Sequence, residues 1–234
     1  MERAFAYDPA QRRLRPEVGL DLAFYFLQNI LWVSLEVGAV ALVGTELQRI
    51  IPRDAVTPFR ALPAAAQLVA LLAASDLCVY AYHRGSHRVP FLWAFHRVHH
   101  SVERLDWLAA HREHPVDGAL TRLFANLPFL LFPVSLPVLA GIAGFRGIWA
   151  VFIHSNVRLP LGPLRPLLGA PELHRWHHRR ADRTEHNFAN LAPWTDLLFG
   201  TYYRPADEPI DLGLPERPRK SYIGWILAPH RDRW

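Results

Sequence analysis

Hydrophobic residues in this chain gather into long windows separated by polar blocks. Residues 61–75 hold no ionisable side chain, and the apolar run continues past Asp76 through Val79 and Ala81, with Pro63 in its first turn. A helix of about 20 residues rises about 30 Å, the thickness of a bilayer core. Residues 123–145 carry no charge at all. Residues 20–43 are apolar but contain Asp21, Gln28, Asn29 and Glu36, whose spacing of about seven predicts a polar stripe turned into a helix bundle. Three such helices leave too little polar sequence to cover them in water, so the windows predict membrane spans. The stretch 119–153 would be about 52 Å long as one helix, too long for a single crossing. Pro128, Pro133 and Pro137 offer turn points for a hairpin.

The polar blocks are rich in arginine and histidine, so a mean hydropathy of +0.03 is a cancellation. The net charge of +5 comes almost wholly from arginine, Lys220 being the only lysine of the 234 residues. Arg3, Arg12, Arg13 and Arg15 precede the first window, and further arginines follow Arg84 and Arg158. This bias predicts a cytoplasmic N-terminus and a cytoplasmic histidine block, against a smaller opposing vote from Arg49, Arg53 and Arg60. No short apolar run with a small-residue cleavage site opens the chain, so no cleavable signal is expected. Cys78 is the only cysteine, which excludes an intrachain disulfide. With 51% hydrophobic residues the chain is not a disordered one. Its length suits one membrane-embedded domain, 1–234, with a proline-rich, irregular tail over 205–234. A pI near 9.8 would suit nucleic acid, but the arginines interleave with histidines and apolar windows, so no nucleic-acid partner is expected.

Of the 13 histidines, twelve lie from His83 to His186. His83 and His87 form an i, i+4 pair at the end of the 61–81 window. His96, His99 and His100 form an H-x-x-H-H box, and His174, His177 and His178 repeat it. On a helix such positions share one face, so each triplet is expected to aim three imidazoles at one point. Neutral imidazole suits Fe, Zn, Cu or Ni, and eight or more such groups exceed what one ion can use, so two metals are expected. A different reading is a histidine-rich membrane carrier or sensor without catalysis. A carrier needs ligands along its spans, whereas these histidines sit at or beyond the span ends on one side.

The histidines lie in a wider pattern. It comprises Asp76, Tyr80, His83, Arg84 and His87, then Leu92-Trp93-x-Phe95-His96-Arg97-Val98-His99-His100-Ser101, Leu105-Asp106-Trp107 and Arg112-x-His114-Pro115. It resumes at His154-Ser-Asn156-Val157, Pro171-x-Leu173-His174-Arg175-x-His177-His178, Asn187-Phe188 and Asp196-x-Leu198-Phe199-Gly200-Thr201-Tyr202. Over about residues 70–204 the chain resembles the fatty acid hydroxylase superfamily, which includes sterol desaturases and C4-methylsterol oxidases. The resemblance implies an all-α, integral membrane four-helix bundle of two helical hairpins under a cytoplasmic, histidine-rich helical cap. It implies a metal site of His83, His87, His96, His99, His100, His174, His177 and His178, with His154 as a further ligand. Some relatives place another histidine where this chain has Ala150, so a tenth ligand would be His186, or Asn156 through a water. His111 and His114 stay outside the set, His114 positioning a loop or lining the substrate entrance. Ala189 stands where the family usually has glycine.

The resemblance also implies two iron ions, favoured over zinc because the family activates O2, which then attacks an unactivated C–H bond of a lipid to give an alcohol or an alkene. Asp76 and Asn156 would support the di-iron centre, and Asp76, Asp106 and Asp182 would orient imidazole N–H groups. Trp93, Trp107, Trp149 and Trp176 would line the lipid path or mark the interface. The chain has no G-x-G-x-x-G, Walker A or cysteine-rich pattern, so no bound organic cofactor is expected and electrons must come from an external ferredoxin, cytochrome or reductase. If all boxes meet, the chain crosses the membrane an even number of times between His114 and His154. A turn near Pro133 and Pro137 puts Arg146 inside the fourth span, where it needs a polar partner; a turn near 144–147 leaves it at the far surface.

Overall fold

Among the described residues each apolar window is carried by helices, and their boundaries follow local chemistry. The computed structural model describes residues 2–229 except 3, 13, 14, 133, 135, 160, 165, 182, 208–210, 217–220 and 228. Pro133, Asp182, Arg3, Arg13 and Lys220, named above, lie outside the described residues. Helix α1 (Val18–Leu27) passes through a π turn (Gln28–Trp32) into α2 (Val33–Ile50), and α3 (Arg53–Arg60) leads to α4 (Ala64–Arg88). Then come α5 (Pro90–His100), α6 (Pro115–Leu131), α7 (Leu136–His154), α8 (Pro171–His177), α9 (Trp194–Phe199) and α10 (Tyr222–Leu227). Among the described residues there is no strand, only isolated bridges of Ala6 with Val157 and Arg179 with Leu212. The fold is all-helical, as the pattern predicts.

Among the described residues two helical stretches are long and apolar enough to cross a membrane, Val18–Ile50 with 33 residues and Ala64–Arg88 with 25. Across the 119–153 stretch expected to form a hairpin lie two helices, α6 and α7, of 17 and 19 residues. At 1.5 Å per residue each reaches only about 25–29 Å, just short of a bilayer core. Helix α7 begins at Leu136, so Arg146 lies inside it rather than at its start. Outward-facing side chains are strongly apolar: Leu35, Leu42, Val69 and Ile148 are 64–73% exposed.

The polar stripe expected on the first window is only partly present. Asp21 and Gln28 are buried, but Asn29 is exposed and donates to the carbonyl of Tyr25 at 2.7 Å. The π turn begins at Gln28; its wider winding breaks the seven-residue register. The Glu36 side chain lies outside the described residues.

Proline at the first helical position starts α5, α6 and α8, where its missing N–H has no partner to lose. These three starts fix the rotation of the histidine-bearing elements. Helix α4 packs along α6, where Ser75 Oγ donates to the carbonyl of Ala125, and α7 packs on α8. A buried ion cluster ties the N-terminal segment and α1 to the loop between α5 and α6. Arg15 grips Asp106 with two bonds of 2.7 and 2.8 Å, and Asp21 pairs with both Arg15 and Arg112.

Two loops beside α8 meet through Gly169. A Cβ there would lie 2.8 Å from the carbonyl oxygen of Leu191 and 3.0 Å from that of Asn190. Backbone cannot swing aside as a side chain does, so Gly169→Ala is expected to destabilise by about 1–3 kcal/mol. At roughly 2–4 °C per kcal/mol, the thermal midpoint in detergent should fall by several degrees, and an unchanged midpoint would show that the loops part freely.

Candidate metal centre

The nine histidines carried by the three boxes and by the end of α7 come together. They form two groups, His83, His87, His96, His100 and His177 in one, and His99, His154, His174 and His178 in the other; within each, the ligand atoms lie within 4.8 Å of one another. The groups adjoin, His100 stacking on His178 with ring centroids 4.4 Å apart. All nine are buried except His83, which is half-buried.

This corrects the expectation that each triplet aims at one point. Helical residues advance by about 100°, so i and i+4 stay within about 40° while i+3 and i+4 diverge by about 100°. On α5, His96 and His100 therefore serve one group and His99 the other. At the end of α8, His174 and His178 pair while His177 turns away.

In the group of four the Nε2 atoms close a ring. His99 to His154 is 3.0 Å, His154 to His174 is 2.8 Å, His174 to His178 is 3.0 Å and His178 to His99 is 3.1 Å. Imidazoles bound to one ion at about 2.0–2.1 Å and at right angles lie about 3 Å apart, so the ring matches a shared metal. The tautomers sharpen this point. His99 Nδ1 faces the carbonyl of Arg112 at 3.3 Å and His154 Nδ1 faces that of Ala150 at 2.6 Å. A carbonyl only accepts, so both Nδ1 atoms carry the proton and both Nε2 atoms present lone pairs. Two lone pairs 3.0 Å apart repel unless a cation lies between them.

The group of five shows the same need differently. Among the described residues, Nε2 of His83, His96, His100 and His177 and both ring nitrogens of His87 are buried without a hydrogen-bond partner. Such orphaned atoms are expensive unless a metal takes them. Three rings are held by Nδ1: His83 to the carbonyl of Phe188 at 2.7 Å, His177 to that of His186 at 2.9 Å, and His96 to the Asp117 carboxylate at 2.9 Å. Each anchor leaves Nε2 facing inward. Burial pushes His99, His100, His174, His177 and His178 well below the usual histidine range, with neighbouring imidazoles acting in the same direction. They are neutral at pH 7, as metal ligands must be.

Asp117 is the site residue that sequence reasoning misses. It opens α6, is buried, and accepts from His96 and from the Tyr82 hydroxyl. The available hint was an acid in the first turn after His114-Pro115. Neither Asp76 nor Asp106 reaches an imidazole. Asp76 accepts from the Leu191 N–H at 3.1 Å and the Trp194 indole at 2.9 Å, while Asp106 holds Arg15 and caps Leu108 and Ala109. Asn156 bonds the backbone of Asp8 in both directions.

His186 lies outside both groups, its Nε2 against the carbonyl of Trp176 at 3.0 Å and its own carbonyl holding His177. His114 caps α6, Nδ1 accepting from Val116 N–H at 3.1 Å, and His111 packs against Tyr25. Trp93 lies against His87 and His100, Trp149 donates to the carbonyl of Asn190, Trp176 packs on Tyr203 and Trp107 is exposed. Ala189 strains nothing: the left-handed residue is Asn187, at φ 55, whose amide ties the carbonyls of Leu173 and Tyr203.

Fold and site together define an all-helical protein with two adjoining histidine groups, each able to hold a metal ion, at the ends of apolar helices. The family model described as "Fatty acid hydroxylase" matches residues 68–201, more than half of the chain, and the chain belongs to that family. An ornithine lipid hydroxylase of Rhizobium tropici is 32% identical over 170 residues, 71% of this chain and 51% of that protein. An alkylglycerol monooxygenase of Danio rerio is 33% identical over 136 residues, 58% of this chain and 30% of that protein. A Delta(7)-sterol 5(6)-desaturase of Leptosphaeria maculans is 30% identical over 146 residues, 61% of this chain and 38% of that protein. The chain spans about half the length of the first of these relatives and less of the others. All three are oxidoreductases by name. No solved structure matches the chain significantly.

Proposed function

We propose that this protein is a membrane-bound, non-heme di-iron oxygenase that uses O2 and electrons from an external donor to hydroxylate or desaturate a C–H bond of a lipid. The carrying observation is the pair of buried histidine groups, above all the facing lone pairs of His99 and His154. Family membership and relatives named for lipid hydroxylation, alkylglycerol monooxygenation and sterol desaturation support a lipid substrate. His83, His87, His96, His100 and His177 would hold one iron, and His99, His154, His174 and His178 the other. Iron held there supplies O2 activation and the oxidising power to break an unactivated C–H bond.

The chain's own groups set the conditions for that chemistry. Backbone carbonyls of Phe188, Arg112, Ala150 and His186 fix which ring nitrogen faces inward. The Asp117 carboxylate sets one negative charge beside a site of neutral ligands. Phe188 is fully buried and packs on His83, His87 and His177, keeping water from that side. Asp76 and Asn156 support the centre at one remove, Asp76 by clamping the loop at Leu191 and Trp194 and Asn156 by holding the N-terminal segment. The whole chain forms one domain. Four spans, the two long helices and the α6/α7 hairpin, would place the N-terminus and the histidine cap together on the cytoplasmic side. There the arginine-rich surface suits an acidic electron donor.

The test combines metal analysis of detergent-purified protein with mass spectrometry of lipids from expressing cells. Two irons per chain and a lipid product gaining one oxygen or losing two hydrogens, dependent on O2, are expected. Bound metal without any altered lipid would favour the carrier or sensor reading. Protein that takes up no redox-active metal would end the oxygenase reading.

A further inference from the structure

Arg146 is a buried cation that the metal site does not use. The less exposed side of α7 runs through Ile142, Arg146, Trp149, Ala150 and Ile153 to His154. Eight residues separate Arg146 from His154, about 12 Å along the helix, and Asp76 lies about 10 Å along α4 from His83. Asp76, His83 and His87 share one face of α4. The two charged residues therefore meet about two turns deeper than the imidazoles, in the space between α4 and α7. The Arg146 side chain is 11% exposed and that of Asp76 only 2%.

The pair is not a closed ion pair. Arg146 Nη2 stands 3.9 Å from Asp76 Oδ1, beyond hydrogen-bond reach. Neither Nη1 nor Nη2 has a hydrogen-bond partner among the described residues. Asp76 is already engaged by Leu191 and Trp194. The carboxylate thus balances the charge from a distance while the guanidinium fork stays open. An intramembrane arginine with unmet donors is expensive to keep and marks a functional position. Because its charge is balanced, the partner it lacks is a neutral oxygen acceptor rather than a second anion. Between Arg146 and His154 on the same side of α7 stands Ala150, a residue with a small side chain.

We infer that Arg146 binds a carbonyl or hydroxyl oxygen of the lipid substrate, and so determines which carbon, at a fixed distance from that oxygen, lies at the histidine groups. The inference rests on the lipid-oxidising reading above. Asp76 is the positioning residue that keeps the guanidinium charged and aimed between the helices.

Binding is measured without iron or O2, so that this inference and the oxygenase reading can fail separately. Detergent-purified protein is titrated by native mass spectrometry with three probes: 1-hexadecanol, methyl hexadecanoate and hexadecane. Wild type should bind the two oxygen-bearing probes at least tenfold more tightly than hexadecane, and Arg146→Met should remove that preference while leaving hexadecane binding unchanged. A wild type without the preference, or an Arg146→Met variant that retains it, overturns the inference. Should the variant fail to fold, wild type decides by photo-crosslinking. A methyl hexadecanoate carrying a diazirine beside its carbonyl should mark α7 near Arg146 or α4 near Asp76, and labelling confined elsewhere overturns the proposal.

Discussion

If the two groups each hold an ion as proposed, His99→Ala is expected to reduce the metal content from about two ions per chain to about one and to abolish lipid oxidation. His99 is the corner of the group of four at which Nε2 of His154 and of His178 both arrive, 3.0 and 3.1 Å away. Its removal leaves three imidazoles and a gap in a closed ring. The group of five keeps all its members, so one ion should remain. Loss of partners one layer further out commonly costs 10–100-fold in affinity or activity, so losing a ligand itself should lower product formation by more than about 100-fold. His186→Ala is the matched control. Its ring faces the carbonyl of Trp176, and the carbonyl that holds His177 belongs to its backbone, which alanine retains. Iron analysis and product yield on both variants check the expectation. Two ions retained by His99→Ala, or an equal loss in His186→Ala, would break the assignment of groups.

Asp117 should have the second largest effect. It accepts from His96 Nδ1 at 2.9 Å and from the Tyr82 hydroxyl, in full burial, so its charge falls on one ligand and fixes that ligand's tautomer. Asp117→Ala leaves a buried imidazole and a buried phenol without their acceptor. Each buried donor left without an acceptor costs about 1–3 kcal/mol, and freeing the ring should weaken metal binding by roughly 10–100-fold. Asp117→Asn keeps an acceptor oxygen but not the charge, so it should fall between wild type and alanine. Competition with an iron chelator, read beside thermal midpoints, separates the two effects. Equal iron affinity in all three proteins would show that Asp117 serves stability alone.

The helices and the nine histidines were legible in the sequence because helical repeat and apolar length are local properties. His96, His99 and His100 announce themselves by spacing, whatever they pack against. Their division between two groups depends on how α4, α5 and α8 are rotated toward one another, which no single segment encodes. The same limit explains the acids. Asp76 precedes His83 by two turns and invites a role beside it, yet its carboxylate reaches Leu191 and Trp194 across the fold. Asp117 lies far from any histidine box in the chain and meets His96 only because α6 packs beside α4 and α5. Arg146 was foreseeable as a problem, and its place within α7 makes it a buried one.

The unequal ancestry of the two histidine groups bears on how the protein is made. The group of five takes His83, His87, His96 and His100 from one continuous stretch of the chain and only His177 from beyond it. The group of four takes His99 alone from that stretch and waits for His154, His174 and His178. During synthesis the first group is therefore four-fifths complete before α6 and α7 have left the ribosome, while the second cannot exist until α7 and α8 have both folded into place. Loading should be staged, one ion early and one late. On the two-metal reading, a biogenesis defect in α6 or α7 would then yield a singly loaded, inactive protein rather than an empty one.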